Sequence, residues 1–514
     1  MNKRVEELLQ DYGYVKNNYN ETNFNKVIKY TLLSATDAPF AIIYYSEENE
    51  TEIAQLFEIC REPKDEYCTL LWVINNKDSL VYSKNLKTKQ YIKLKDMLYY
   101  SLTKSSNNSG NKSLNSNFEN IFFEAHSFLR DIDGLHPDEA LDELCKVIYT
   151  KLYDEEQKIG CFEGTYGNGE EYAASIRKLY SDANDYDVRV YSLKIPGYKR
   201  SRGVFDAPIL LSTNAIDKVA SLFSNYDFSK SDVDFKARAF QNVYKPTTRA
   251  GMGQYFTPIQ VIRFIVKCIA PKPSDLIIDP FAGSAHFLTE SLNYVLQNVK
   301  NDKAKNEFVF YKLHGIEKSE RMVRIAMTDM RLHGDGHSNI RCTDSLLSFD
   351  TYADLQSDNF DVVMTNPPFG SNLQKETYAY LGEYDLLNEK SKVPLEVLGL
   401  ERSIQLLRYG GRIGIVLPES IFVNKSYNYV REWLEKNVQI RGIISLPLCT
   451  FSPFGANIKT SILIATKKKV SCDYNIFTGM IENIGYDSKG EELLDSDWEK
   501  VADEFLSFIE KEEW

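Results

Sequence analysis

The sequence predicts an α/β protein built on a doubly wound, mostly parallel sheet, preceded by a helical domain and a small α+β module. Three observations predict it. From Tyr244 to about Lys469, short β-branched runs ("DLIIDP", "KLHGIE", "NIRCTD", "DVVMTNPP", "GRIGIVLP") alternate with helical runs, as strands joined by crossover helices do. From Phe118 to about Phe240, apolar residues recur at three- and four-residue spacing. A polar segment, "SLTKSSNNSGNKSLNSN", sets off the first hundred residues as a separate unit.

The bulk properties narrow the class. At 514 residues the chain is too long for one ordinary core, and 43% hydrophobic residues with 26% charged is a globular composition. The net charge of −12 argues against a protein held on nucleic acid by its overall field; contact with nucleic acid would need local basic patches or a more basic partner. Eight cysteines are scattered without a CxxC pair, which favours buried thiols in a reducing compartment over a metal or disulfide framework. The start, "MNKRVEELLQDYG", has no signal-peptide core, and no apolar run approaches a membrane span, so a cytoplasmic protein without membrane contact is expected.

Taken in order, residues 1–100 read as the α+β module, with "FAIIYYS", "TLLWVINNKDSLVYS" and "KQYIKL" as strands and "NNKD" as a hairpin turn. Residues 101–117 are the linker. Residues 118–243 are the helical domain, where Pro137 and Asp138 stand where helix starts prefer them. A basic cluster, Lys194, Lys199, Arg200 and Arg202, reads equally as a solvated loop or a phosphate contact. Residues 244–470 carry the parallel sheet, and 471–514 form an acidic, partly helical tail.

In a doubly wound sheet, ligands bind beyond the carboxyl ends of the strands, and the unusual residues lie there. "LIIDPFAGSAHFL" takes a strand to Asp279, through a Gly-containing loop, into a helix near His286. Such a loop lets a ligand approach the backbone and the free amides of the helix start; the bland reading is a tight turn. It is neither GxGxxG nor GxxxxGK[ST], so a dinucleotide or ATP site is disfavoured. Glu317, ending "HGIE", can accept from two ribose hydroxyls, or be solvated. Asp344, in "CTDSL", can accept from an adenine amino group, or cap the next helix. Upstream, Tyr255, Phe256, Thr257 and Pro258 can line a small-ligand pocket, or simply start a helix with core aromatics.

The fourth strand ends at "TNPPF". An amide or ring-bound NH2 is a poor nucleophile because its lone pair is delocalised. Two acceptors on its hydrogens, the Asn366 side-chain oxygen and the Pro367 carbonyl, favour a tetrahedral nitrogen with the lone pair free. Pro367 and Pro368 stiffen the corner, and Phe369 can stack on a flat base. No charged base is needed before attack, because the proton can leave after transfer.

"GQYFTP", "DPFAGSAHFL" and "TNPPF", in this order, closely resemble the N6-adenine DNA methyltransferases of type I restriction–modification systems, whose fold is a Rossmann-like SAM-dependent methyltransferase domain. "EAHSFLRDIDGLHPDEALDELCKVIYTKLYDE" resembles the helical N-terminal domain of their modification subunits. The resemblance spans roughly residues 118–470. It implies S-adenosylmethionine as donor, with contacts on Tyr255, Phe256, Thr257, Pro258, Asp279, Pro280, Ala282, Gly283, Ser284, Glu317 and Asp344. It implies that Asn366, Pro367, Pro368 and Phe369 hold an adenine flipped out of double-stranded DNA. Ala285 and His286 depart from the family, where a second glycine step is common; His286 reads as a helix start, not as catalytic. His333 and His337 have metal-compatible spacing, but this chemistry needs no metal and "HGDGH" reads as a loop. The resemblance also implies a separate specificity subunit, two copies of this chain per complex, and a restriction subunit as a further partner. The first module resembles the N-terminal nuclease domain of type I restriction subunits, with Tyr44 and Ser46 where that family's acid and lysine fall; a metal-dependent nuclease needs carboxylates to hold Mg2+, so the module is expected to bind or pack and not to cut. Two rivals stand beside the DNA reading: methylation of a protein glutamine or an RNA base amine, and a non-catalytic assembly subunit on the same fold.

Overall fold

The computed structural model describes residues 118–164, 166–194, 204–228, 240, 243, 256–299, 302–334, 339–352, 355–374, 381–387, 392–469, 473–491, 493 and 495–512, and, before residue 118, positions 5 and 9 with the strands 19–24, 27–33, 39–46, 70–74, 79–84 and 91–94. The chain divides into two compact units, Met1–Asn117 and Phe118–Trp514. The linker at 101–117, the basic residues Lys199, Arg200 and Arg202, and His337 lie outside the described residues.

In the first unit, six strands form one sheet in sequence order: β1 (Tyr19–Phe24), β2 (Val27–Leu33), β3 (Pro39–Ser46), β4 (Leu70–Ile74), β5 (Ser79–Lys84) and β6 (Tyr91–Leu94). Neighbours are antiparallel except β3 and β4, which run parallel. Ile74 pairs with Ser79 across the "NNKD" segment. Tyr44 and Ser46 stand at the end of β3, in register with Lys29 and Val27. Lys29 is fully buried.

The second unit begins with four helices, α1 (Phe118–Asp133), α2 (Pro137–Glu156), α3 (Gly169–Lys194) and α4 (Thr213–Ser224). Pro137 opens α2 as the sequence predicts, with a capping box between His136 and Glu139. Their core is aromatic: Phe122 meets Phe223, Phe228 and Phe240 edge-on, and Tyr149 stacks on Phe205 at 4.0 Å.

An eight-stranded sheet follows, built from β7 (Ile277–Asp279), β8 (Leu313–Glu317), β9 (Asn339–Cys342), β10 (Phe360–Thr365), β13 (Leu407–Pro418), β14 (Gln439–Ser445), β15 (Thr460–Thr466) and β16 (Phe477–Met480). A small pair, β11 (Asn372–Gln374) and β12 (Lys392–Pro394), stands apart. The order is β16-β14-β15-β13-β10-β7-β8-β9, parallel throughout except for β15. The chain winds from β7 to β8 and β9 on one side, then crosses to β10 and β13 on the other. The switch point therefore lies between β7 and β10.

Among the described residues, the helices longer than two turns are α5 (Ile259–Ile269), α6 (His286–Asn298), α7 (Asp302–Tyr311), α8 (Glu320–Leu332), α9 (Leu395–Leu406), α10 (Asn428–Asn437) and α11 (Trp498–Lys511). Strand alternation assigns them to faces. Ile413 and Ile415 join the core that includes Leu398, Leu400 and Ile404 of α9. Gly414, between them, faces α5, where a Cβ would come 2.5 Å from Ile265. Helix α8 fastens the sheet to the helical domain. Arg324 makes two bonds to Asp142 at 2.6 and 3.0 Å, Arg331 reaches Glu156 at 2.9 Å, and Arg321 pairs with Asp138.

The stretch read as a tail from residue 471 belongs to this architecture. β16 pairs with β14, and α11 buries Val501, Ala502, Phe505 and Ile509, with Phe505 edge-on to Phe477 at 5.5 Å. The four-residue strand "FTGM" is too short and too weakly β-branched to signal itself, and the acidic residues of α11 lie on its outer face.

Candidate active site

Both sides of the switch point are bonded to each other. Asp279 ends β7 and is 1% exposed. Its Oδ1 accepts from the Thr365 hydroxyl at the end of β10 (2.6 Å) and from the Phe281 amide (3.0 Å). Burial pushes this carboxyl up to about 7, against the pull of those two bonds. The loop then turns through Gly283 (φ +51°) and Ala285 (φ +63°) into α6. At Gly283 the left-handed backbone costs no Cβ clash; at Ala285 it carries some strain.

Glu317, at the end of β8, holds that loop. It accepts from the Gly283 amide at 3.0 Å and from the Ser319 amide at 2.8 Å. Burial raises its pKa, and backbone N–H groups of Ser319, Gly283 and Lys318 oppose the rise. A carboxylate offers about four lone-pair directions, so acceptor capacity is left for a further donor. Asp344, past β9, accepts from the Leu346 amide at 3.0 Å and pairs with Lys318 at 2.8 Å.

The cleft over these strand ends encloses about 420 Å³ of empty space, its open mouth included. Of the residues named from sequence, Phe256, Thr257, Asp279, Ala282, Gly283, Ser284 and Asn366 line it. Glu317, Asp344, Pro258 and Pro280 are not among its lining residues, and Tyr255 lies outside the described residues. Lining residues the sequence reading missed are Ile262, Phe281, Phe287 and Met322. Their only sequence signal was membership of helices and loops that start at strand ends. His286 is the first residue of α6, lines the cleft, and has Nε2 3.6 Å from Asp329 Oδ2. His333, also paired with Asp329, is buried at the end of α8. Among the described residues no group of three or more His, Cys, Asp or Glu is placed to hold a metal.

The Asn366 corner completes the cleft. Asn366 Nδ2 donates to Thr257 Oγ1 at 2.9 Å, across 109 residues of sequence. Its Oδ1 is buried and has no hydrogen-bond partner among the described residues. A buried acceptor left open is costly and rare, so it marks a place kept for a donor. Pro367 is buried, Pro368 exposed, and Phe369 meets Phe451 edge-on at 6.3 Å.

Comparison with known proteins follows the same lines. A family model described as N-6 DNA methylase matches residues 239–514. The methylase subunit of the type I restriction enzyme EcoEI from Escherichia coli is 28% identical over 257 residues, 49% of this chain and 50% of that one. The matched region thus spans half the length of that relative. A chain from a structure of the complex assembly of a type I R-M system superposes with a TM-score of 0.59 at 18% identity, covering 78% of this chain and 85% of that one. The type I restriction-modification methyltransferase subunit from Streptococcus thermophilus gives a TM-score of 0.54 at 16% identity, covering 77% and 93%. With the family model covering more than half of its residues, the chain belongs to the N-6 DNA methylase family.

Proposed function

We propose that the chain is a site-specific DNA adenine-N6 methyltransferase, the modification subunit of a type I restriction–modification complex. The observation that carries this reading is the open, buried Oδ1 of Asn366, oriented by Thr257 at the switch-point cleft. S-adenosylmethionine supplies an electrophilic methyl group and a cationic centre. The residues present fit it: a buried carboxyl at Asp279, a close-approach loop at Ala282, Gly283 and Ser284, and spare acceptor capacity on Glu317 for a ribose. The family resemblance assigns Asp344 to the adenine end of the donor, and Tyr255, Pro258 and Pro280 to further donor contacts.

The target adenine leaves the duplex and stacks on Phe369. Asn366 Oδ1 and the Pro367 carbonyl accept its two N6 hydrogens, which leaves the nitrogen lone pair free for attack. A bound donor would supply the methyl group with its sulfur as leaving group, and the nitrogen would release one proton to solvent after transfer. Pro367 and Pro368 keep the acceptors in place at little entropic cost. Sequence reading is delegated to a specificity subunit, in keeping with the net charge of −12. Two copies of this chain join one specificity subunit in the cytoplasm, with a restriction subunit as a further partner.

The test is a genome-wide map of N6-methyladenine in a methylation-free host expressing the chain with its neighbouring genes. Methylation at a split motif, lost with Asn366→Ala, is expected. Labelled methyl groups in protein or RNA instead would move the substrate class, and no donor binding would point to an assembly role.

A further inference from the structure

Of the described residues that line the cleft, two are ionisable: Asp279 is the acid and His286 the base. His286 stands at one of the two positions where the glycine loop departs from the family it resembles. It is the first residue of α6 and is 8% exposed. A cation is ordinarily out of place there, because the positive end of the helix dipole repels it. Asp329 of α8 compensates. It is fully buried, and its Oδ2 lies 3.6 Å from His286 Nε2. A buried carboxylate beside one ring nitrogen orients the ring and gives an imidazolium a counter-ion. His333, the other histidine at Asp329, does not line the cleft; its Nδ1 meets the Asp329 carbonyl oxygen at 2.8 Å.

The charges of the donor suit this arrangement. One end of S-adenosylmethionine carries an α-ammonium and an α-carboxylate. A cleft walled by Phe256, Ile262, Phe281, Phe287 and Met322 can hold those charges only against opposite ones. Glu317 of β8 bonds to the Gly283 amide in the β7 loop, so a ribose held at Glu317 leaves the amino-acid end over that loop and the start of α6. The Asp279 carboxyl attracts the ammonium and repels the carboxylate. His286 is then the basic partner for the carboxylate, and the helix start that disfavours a lone cation favours the anion.

We propose that His286 is a specificity-determining residue for the methyl donor: backed by Asp329, its imidazolium binds the α-carboxylate of S-adenosylmethionine. Asp329 acts through the ring and is a positioning residue. The inference rests on the methyltransferase reading above.

The test compares two ligands that differ by that carboxylate alone, S-adenosylmethionine and decarboxylated S-adenosylmethionine. Calorimetric affinity for each is measured on the chain co-expressed with its neighbouring genes, as wild type, H286A, H286Q, D329N and the Asn366→Ala control, beside the melting temperature. The wild type is expected to prefer S-adenosylmethionine by about tenfold to a hundredfold, the range for a hydrogen bond to a charged group. H286A loses about that factor for S-adenosylmethionine, binds the decarboxylated ligand within about twofold of wild type, and so keeps little preference. D329N falls between the two, and Asn366→Ala keeps the wild-type preference. A histidine with a merely structural role would weaken both ligands alike, and that outcome overturns the proposal; so does an H286A whose preference is intact. A wild-type preference in D329N overturns the part given to Asp329. Should H286A not fold, H286Q keeps a hydrogen-bond donor without the charge, and an unchanged preference there also overturns the proposal. A wild type that binds the two ligands equally overturns this inference alone. A wild type that binds neither overturns the donor reading with it.

Discussion

The two halves of the cleft treat their acceptors differently. On the β7–β9 side, Asp279, Glu317 and Asp344 are each already bonded, to Thr365 and Phe281, to Gly283 and Ser319, and to Leu346 and Lys318. On the β10 side, the Asn366 Oδ1 and the Glu396 Oε2 are buried and open. The first half is a self-supporting cradle whose carboxylates shape a loop before they meet any ligand. The second holds unmet hydrogen-bonding capacity, which is stable only because neighbouring elements fix it. On the proposed reading, this division lets the first half hold a methyl donor while the second is offered successive bases.

The largest effect that would break the comparison is at Asn366. Asn366→Ala removes the open acceptor, and kcat is expected to fall by about 10²–10³, the range seen for a lost acceptor or donor at a transition state. Donor affinity should hardly change. If affinity fell with the rate, the open side would belong to the cradle.

Next comes the residue that orients the amide. Thr257→Val keeps the shape and removes the acceptor for Asn366 Nδ2. We expect kcat to drop about tenfold or more, the cost of one unsatisfied buried donor, with Thr257→Ser restoring it. Stopped-flow transfer measured at saturating DNA separates this from weaker binding.

On the cradle side the expected effect follows pH. Burial raises Asp279 to about 7. A raised carboxyl pKa favours the folded state fully only below the unfolded value near 4, and that contribution is lost as pH rises towards 7. Thermal stability without donor should therefore decline across that window, and Asp279→Asn should flatten the decline. A cationic donor favours the ionised carboxylate. Its dissociation constant should tighten about tenfold between pH 6 and pH 8 with proton release, which calorimetry in two buffers reads directly. An unchanged profile in Asp279→Asn would remove Asp279 from donor binding.

How far these features were legible follows the range of the interactions. Strand-ending residues such as Asp279, Glu317 and Asn366 announced themselves because a polar group after an apolar run is a local signal. The helix start at Pro137 was equally local. The Thr257–Asn366 bond and the Arg324–Asp142 bridge join residues brought together only by the topology. Glu396 was hidden for another reason: its periodicity fits α9 perfectly well as a surface acid, and only its burial sets it apart. β16 was missed because four residues carry too little pattern.

The smallest effect tests whether the cradle's bonds compete with the donor. Lys318 is 77% exposed and pairs with Asp344 Oδ2 at 2.8 Å. An exposed pair contributes only about 0–1 kcal/mol, so Lys318→Met should leave the melting temperature nearly unchanged. If Asp344 accepts from the donor's adenine, the lysine occupies part of that acceptor, and its removal should tighten donor binding by up to about threefold. Asp344→Ala should weaken it by about tenfold, the value of one hydrogen bond to a charged group. Titration of the two variants side by side decides the point. Weaker binding in Lys318→Met would mean that the pair holds the loop for the donor, and that the cradle is assembled by its own bonds even at its exposed rim.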